Sequence, residues 1–325
     1  MPPQIRQYRQ WLEQEIKKQK FGKDPVSLYE PIRYLMGLGG KRLRPMFTLL
    51  SYSLFREDVK GAAPYAVAVE SFHNFTLMHD DIMDKAPLRR GKATVHEKWN
   101  TNTAILSGDV MLIKVYDMFL SLDPELLKPV LRAFNACAAQ VCEGQQWDME
   151  FETTPDVSEK RYLEMIRLKT AALLGFSLEL GAILAQGSEA DRKSLREFGT
   201  NVGIGFQLKD DLLDAFADPK KFGKQVGGDI LANKKTYLLI KALEKAEGKT
   251  KKELLFWVNA RKFKGSEKID AVKEIYTRLD VPAIADRKVN YFFRKGFESL
   301  EHIHGRDPQA QRLRDYTRAL IERQS

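Results

Sequence analysis

The sequence predicts an all-α protein. Helix-forming residues dominate, β-branched runs with alternating polarity are scarce, and Pro and Gly cluster between long segments of helical apolar periodicity. A chain of 325 residues, 43% of them hydrophobic, is ample for a large buried core. There is no repeat of solenoid length and no low-complexity linker, so residues 1–325 read as one domain.

The elements follow in order. An amphipathic helix is expected from about Gln4 to Lys20, then turns around Gly22 to Pro25. A short helix ends at Gly37-Leu38-Gly39-Gly40. Pro45 suits a helix start, and that helix runs to about Phe55. The next runs from about Pro64 to Lys85 and is stopped by Pro87, after which Pro87 to Thr94 form a loop. Helices follow at about 101–120, 124–150, 158–186, 189–216 and 228–247, and the tail beyond 250 reads as three shorter helices. Asp218-Pro219 and Gly223 through Gly228 mark a conspicuous loop.

Lys and Arg number 53 against 44 Asp and Glu, a net charge of +9. Such a balance suits nucleic acid, a membrane surface or a phosphorylated small molecule. The basic residues are spread along the chain, with no arginine-rich tail and no interleaved basic and aromatic stripe, which argues against nucleic acid as a partner. Cys137 and Cys142 fit neither a CxxC redox pair nor a zinc site and are expected to pack in a helix in a reducing, cytoplasmic compartment. Met1 to Gly22 is polar and carries no apolar targeting core. No run approaches the roughly 18 apolar residues of a transmembrane helix. The longest, Ala171 to Ala185, is interrupted by Glu179.

Chemistry concentrates in two acidic motifs. Asp80 and Asp84 are one helical turn apart on a shared face, with Asp81 beside them. Clustered carboxylates raise one another's pKa values, and a hard divalent cation resolves that repulsion. The preceding turns, Val69 through Met78, are largely apolar, so these carboxylates leave a buried helix and need counter-charge. A solvated acidic face is the bland alternative. His73 lies seven residues before Asp80 on the same face. In the second motif Gln207, Asp210, Asp211 and Asp214 follow the i, i+3, i+4, i+7 spacing of one face, with Gly203 and Gly205 before them to permit close helix contact. Two such faces are expected to meet across metal ions that chelate a diphosphate.

Basic residues supply the complement. Gly39-Gly40-Lys41-Arg42-Leu43-Arg44-Pro45 puts a glycine turn and three cations at a helix start, a natural anion site that lacks P-loop spacing. Arg89-Arg90-Gly91 can fold back over the first motif, Lys169-Thr170 interrupt an apolar helix, and Lys224 and Lys234 follow the second motif.

At this point the chain resembles the trans-isoprenyl diphosphate synthases, the polyprenyl synthetase family. The resemblance spans about Gly39 to Thr236 and rests on GGKRLRP at 39–45, ExxHNFTLMHDDIMD from Glu70 to Asp84, RRG at 89–91 and SGD at 107–109. KTAAL at 169–173, FQLKDDLLD at 206–214 and GKQVGGD at 223–229 complete it, all in order. It implies a bundle of long, mostly antiparallel helices around a central cavity, the isoprenoid synthase type I fold, as a homodimer. It implies three Mg²⁺ per active site, bound by Asp80, Asp84 and Asp210 with Asp81, Asp211 and Asp214 close by. The allylic diphosphate (dimethylallyl, geranyl or farnesyl) would be held with Arg89, Lys169, Thr170, Gln207, Lys224 and Lys234. Isopentenyl diphosphate would sit on Gly40, Lys41, Arg44, His73 and Arg90. The allylic diphosphate would ionise, the alkene would attack head to tail, and the 218–228 loop would act as a lid against water.

The growing chain would run down the first acidic helix. Phe72 lies about 12 Å below Asp80 at 1.5 Å per residue, with Phe75 and Thr76 between. The resemblance implies that an aromatic residue at Phe75 marks a short-chain synthase and that Thr76 favours C20 over C15. Geranylgeranyl diphosphate is therefore the expected product, with farnesyl diphosphate second. A terpene cyclase or head-to-head synthase would need neither the 39–45 anion site nor His73, and a non-catalytic subunit would tend to lose an acidic motif.

Overall fold

The computed structural model describes residues 2–217 and 226–323. In chain order its helices are α1 (Pro3–Lys18), α2 (Val26–Gly37), α3 (Leu43–Ser53), α4 (Ala63–Met83), α5 (Val95–Lys98), α6 (Thr101–Phe119) and α7 (Pro124–Thr153). They continue as α8 (Glu159–Ile166), α9 (Ala172–Leu184), α10 (Glu189–Phe216), α11 (Gly228–Leu231) and α12 (Tyr237–Lys245). The last are α13 (Gly248–Asn259), α14 (Gly265–Arg278), α15 (Val281–Ser299) and α16 (Asp307–Arg323). The all-α expectation holds, with one small exception.

That exception replaces the loop expected at 87–94. Leu88–Arg89 and Lys92–Ala93 pair as a two-stranded antiparallel hairpin, β1 and β2. Arg90 (φ 53°) and Gly91 (φ 74°) form its turn, the positive-φ pair that a tight hairpin requires. Three other expectations are corrected. The helix expected at 158–186 is interrupted by a π-turn, Arg167–Ala171, in which the Ala172 N–H reaches back to Arg167 O. The helix expected at 228–247 breaks after Leu231. Asn233 takes a left-handed conformation, and Thr236 caps α12 by accepting the Leu239 N–H. The tail from Gly248 onward holds α13 to α16, not three helices.

The described chain forms two compact units. The first comprises residues 2–137, 173–196 and 302–313; the second comprises 138–172, 197–217, 226–301 and 314–323. In the first, α4 packs against α3 and α6. Every position from Ala66 to Phe72 is buried, the polar Glu70 and Ser71 included, because this helix is covered on several sides. Phe134 is the hub of an aromatic cluster, its ring centroid 5.0 Å from Phe72, 5.3 Å from Phe119 and 5.8 Å from Phe176. Each fully buried ring contributes roughly 1.5–3 kcal/mol of apolar burial. In the second unit, the glycines read from the sequence as contact points are just that. A Cβ on Gly203 would meet Ala171 Cα at 2.7 Å, and one on Gly205 would meet the Phe293 ring at 2.6 Å. The second acidic helix is thus seated directly on the π-turn.

Among the described residues, no helix is long and apolar enough to cross a membrane. Cys137 is buried and Cys142 exposed, both without a disulfide.

Candidate active site

In the first unit the C-terminal turn of α4 carries the first acidic motif. Asp81 is buried, Asp80 partly buried and Asp84 exposed. The hairpin brings Arg89 back onto this turn. Its Nε donates to both Asp81 oxygens at 2.8 and 2.9 Å, its Nη2 donates to Oδ1 at 2.6 Å, and Asp80 lies at 3.6 Å. Thr94 holds the hairpin base by donating its hydroxyl to Ala86 O at 2.7 Å. Burial pushes the Asp81 carboxyl up, and Arg89 opposes that without cancelling it. The sequence assigns Arg89 to the allylic diphosphate; in the structure its guanidinium is engaged by Asp81.

The three cations of the 41–44 segment divide. Arg42, in a left-handed conformation (φ 50°), is buried and points inward. It bonds Glu70 at 2.7 Å, Glu13 at 3.2 Å and Met36 O at 2.9 Å. Its role is therefore structural, a correction to its reading as part of the anion site. Lys41 is exposed. Arg44 Nη1 lies 3.1 Å from His73 Nε2, and Arg44 Nε is buried with no hydrogen-bond partner among the described residues. Burial, then the charges of Arg44, Arg90, Arg89 and Arg42, hold the His73 pKa well below the usual imidazole range. His73 is thus neutral, accepting from Arg44 through Nε2 and keeping Nδ1–H as a donor. Gly40 suits this position because its φ of 141° is one that L side chains rarely adopt, and it lets the Arg90 guanidinium lie against the backbone. Arg90 in turn donates to Gly39 O. The result is a strongly cationic corner with an unsatisfied donor, suited to a polyanion.

The second unit contains a cleft of about 240 Å³ lined by both acidic and basic groups. Asp210, Asp211 and Asp214 line it from α10, with Asp229 from α11, Lys234 from the following turn and Lys169 and Thr170 from the π-turn. Gly144 makes this geometry possible, because a Cβ there would stand 2.2 Å from Lys169 N. One turn further along α7, Asp148 accepts from Lys169 Nζ at 2.6 Å, with Lys234 Nζ at 3.5 Å. Burial alone would raise the Asp148 pKa, but Lys234 and Lys169 outweigh it and hold the group below the usual carboxylate range.

Asp211 is the most enclosed acid. Its Oδ2 accepts from the Tyr162 hydroxyl and from Tyr237 N–H at 3.3 Å, while Oδ1 accepts from Gln207 Nε2 at 3.2 Å. Burial, only partly opposed by these donors, pushes it up to about 7. Thr170 donates to Gln207 Oε1 at 3.2 Å, which ties the π-turn to the same chain of bonds. Asp229 is pushed to about 6 by burial and by the charge of Asp214, with Asp148 and Asp210 adding to it and Lys234 opposing. Asp214 accepts the Asp229 N–H through Oδ2 at 3.0 Å, and its own carbonyl accepts the Gly227 N–H.

Among the described residues no three carboxylate, His or Cys groups converge tightly enough to hold a metal ion alone. The crowded carboxylates nevertheless fit Mg²⁺, which takes one or two protein carboxylates and completes its shell with water and substrate phosphate oxygens. Sequence reasoning overlooked Asp148, Tyr162 and Asp229 as site residues. Asp148 was the most accessible of them, since it shares a helical face with Gly144. Lys224 and residues 218–225 of the expected lid lie outside the described residues.

Comparison with known proteins bears on the family and the fold. Residues 25–278 match the polyprenyl synthetase family. The chain is 41% identical over 248 residues to a short chain isoprenyl diphosphate synthase of Methanocaldococcus jannaschii, covering 76% of each protein. It is 43% identical over 236 residues to a geranylgeranyl pyrophosphate synthase of Geoglobus acetivorans, covering 72% of each. The fold matches a crystal structure of geranylgeranyl pyrophosphate synthase with a TM-score of 0.95 at 41% identity over the whole of both chains. The helices therefore form the all-α isoprenoid synthase fold, and the chain belongs to the polyprenyl synthetase family of prenyltransferases.

Proposed function

We propose that the protein condenses isopentenyl diphosphate head to tail with allylic diphosphates and releases mainly geranylgeranyl diphosphate. The observation that carries this reading is the cleft in which Lys169 and Lys234 flank Asp210, Asp214 and Asp229, a donor set for a magnesium diphosphate. Arg44, Lys41, Arg90 and neutral His73 supply a separate cationic corner for the second diphosphate. Both diphosphates are required for elongation, whereas a cyclase needs one.

Asp80, Asp84 and Asp210 are read as the ligands of three Mg²⁺ ions, with Asp214 and Asp229 beside them. Bound Mg²⁺ would supply charge stabilisation on the leaving diphosphate. Lys169 and Lys234 orient that diphosphate and neutralise its departing oxygens, while Gln207 and Thr170 fix its position. Arg89 keeps Asp81 neutralised so that Asp80 and Asp84 face outward from the buried helix. Arg44 and the His73 Nδ1–H hold isopentenyl diphosphate for attack on the allylic cation. The proton then leaves to the departed diphosphate. Phe72, Phe75 and Thr76 bound the apolar space for the growing chain.

A homodimer is supported by α6. Leu106 and Ile113, and Leu120 at its C-cap, are spaced seven residues apart and 57%, 58% and 61% exposed, an apolar stripe along one face. Sedimentation of the purified protein as a monomer would remove this part of the reading.

The decisive assay is turnover of isopentenyl diphosphate with dimethylallyl or geranyl diphosphate at millimolar Mg²⁺, with product chromatography. A C20 product is expected. A sole C15 product would favour farnesyl diphosphate, and no turnover would sink the reading.

A further inference from the structure

Helix α13 and the turn after it present apolar and basic side chains together to solvent. Phe256 is 64% exposed, and Leu255 and Phe263 are more than a third exposed. Lys249 and Lys252 precede Phe256 by seven and four residues, which places all three on one helical face. Trp257 packs edge-on to Phe256 with ring centroids 5.2 Å apart. Lys249, Lys251, Lys252, Arg261, Lys262 and Lys264 are all exposed within residues 248–264. The segment's one acid, Glu253, is taken by Arg278 at 2.7 Å, and just beyond the segment Glu267 lies 3.7 Å from Lys264, which leaves the remaining basic residues in excess. Basic and aromatic residues are therefore interleaved here, which corrects the reading of the chain's positive charge as evenly spread.

Single exposed apolar side chains are ordinary, but this group is ringed by like charges that repel one another. An anionic partner relieves that repulsion and covers the rings together. A nucleic acid and an anionic lipid surface both supply negative charge. The apolar part decides between them. Leu255 has no hydrogen-bonding or stacking capacity, and Leu, Phe and Trp on a helix flanked by lysines are the side chains that enter the headgroup boundary of a bilayer.

We propose that α13 and the 260–264 turn form a peripheral docking surface for membranes bearing anionic headgroups. Phe256 and Leu255 enter the acyl boundary, and Lys249, Lys252, Arg261, Lys262 and Lys264 lie at headgroup level. Binding weakens with salt, because the basic residues act through a screened surface potential.

The test is co-sedimentation of the full-length protein with phosphatidylcholine vesicles, with and without phosphatidylglycerol, at low and high salt. Binding is expected only to the anionic vesicles and only at low salt. Lys262→Glu/Lys264→Glu is expected to weaken it at least about 25-fold, at roughly fivefold for each basic residue lost. Phe256→Ser should weaken it without altering prenyltransferase activity. Lys17→Glu/Lys20→Glu, equal in charge but at the end of α1 and just beyond it, should leave binding intact. Equal loss in both charge variants, unaltered binding in Phe256→Ser, or equal binding to neutral vesicles would overturn the proposal. So would preferential binding of an oligonucleotide, or a change of oligomeric state in Phe256→Ser that identifies the patch as a contact between copies of this chain.

Discussion

Tyr162 donates its hydroxyl hydrogen to Asp211 Oδ2, the same oxygen that accepts the Tyr237 N–H. One buried carboxylate of the second acidic motif is therefore held by protein donors on both oxygens, counting Gln207. These donors favour the charged form against burial. Removing the hydroxyl in Tyr162→Phe raises the Asp211 pKa further above about 7. The acidic limb of the kcat profile should move to higher pH, with the deficit largest below neutrality and narrowing as pH rises. An unshifted limb would show that Asp211 ionisation does not matter to turnover.

Metal removal should show the same linkage in stability. Asp211 and Asp229 are raised to about 7 and about 6, above the unfolded value of about 3.9. Between the unfolded and folded pKa values the unfolded chain has released protons that the folded chain keeps. The metal-free fold therefore loses stability as pH rises through this window. Mg²⁺ with a diphosphate relieves the repulsion, so the thermal shift it produces should be larger at pH 8 than at pH 5. Calorimetry at both values checks this.

Asp148 holds Lys169 and Lys234 in the cleft, so Asp148→Asn should misplace both. We expect kcat/KM for the allylic diphosphate to fall roughly 10- to 100-fold, the range seen for outer-shell residues. The KM for isopentenyl diphosphate should be little changed, as Arg44 and His73 belong to the first unit and Asp148 to the second. Steady-state kinetics with each substrate varied separates the two.

Much of the local placement of the candidate site residues is legible in the sequence. Asp80, Asp84, Gln207 and Asp210 follow from helical phase, and Pro64, Pro87 and Pro124 bracket helices as their chemistry demands. What was not legible has identifiable causes. Arg42 sits between two cations of similar appearance, and only its left-handed backbone sends it inward to Glu70. The π-turn leaves no trace in periodicity, since RLKTA would continue α8 into α9 as an ordinary helix. Asp148 has no partner within its own helix's sequence pattern, and only the close approach of Lys169 at Gly144 supplies one. The break before α12 had a signal, Thr236 ahead of an apolar run, that was read as helix interior.

Gly144→Ala tests the close approach at the π-turn. A methyl 2.2 Å from backbone nitrogen cannot be absorbed by a side chain. The fold should lose about 1–3 kcal/mol, and activity should fall along with it because Lys169 moves. Denaturant midpoints and kcat together decide. Lost stability with unchanged kinetics would separate the contact from the site.

Phe72 and Phe75 should part company on truncation. Phe72 is fully buried against Phe134, so Phe72→Ala should cost about 3–5 kcal/mol. Phe75 is only partly buried, so Phe75→Ala should cost less and lengthen the product. An unchanged product spectrum on chromatography would remove Phe75 as the floor of the chain-length space.

The π-turn has a consequence for how this protein tolerates insertions and deletions. A π-turn holds one more residue than the α-helical path it replaces, so the segment 167–171 has a near-equivalent alternative one residue shorter. Deleting one residue there would let α8 and α9 fuse into a regular helix with its hydrogen bonds intact. The same deletion would rotate Lys169 and Thr170 by about 100° relative to the rest of the helix. A heritable loss of the Arg167 or Leu168 codon would thus leave a folded protein in which Lys169 and Thr170, although still encoded, no longer line the cleft.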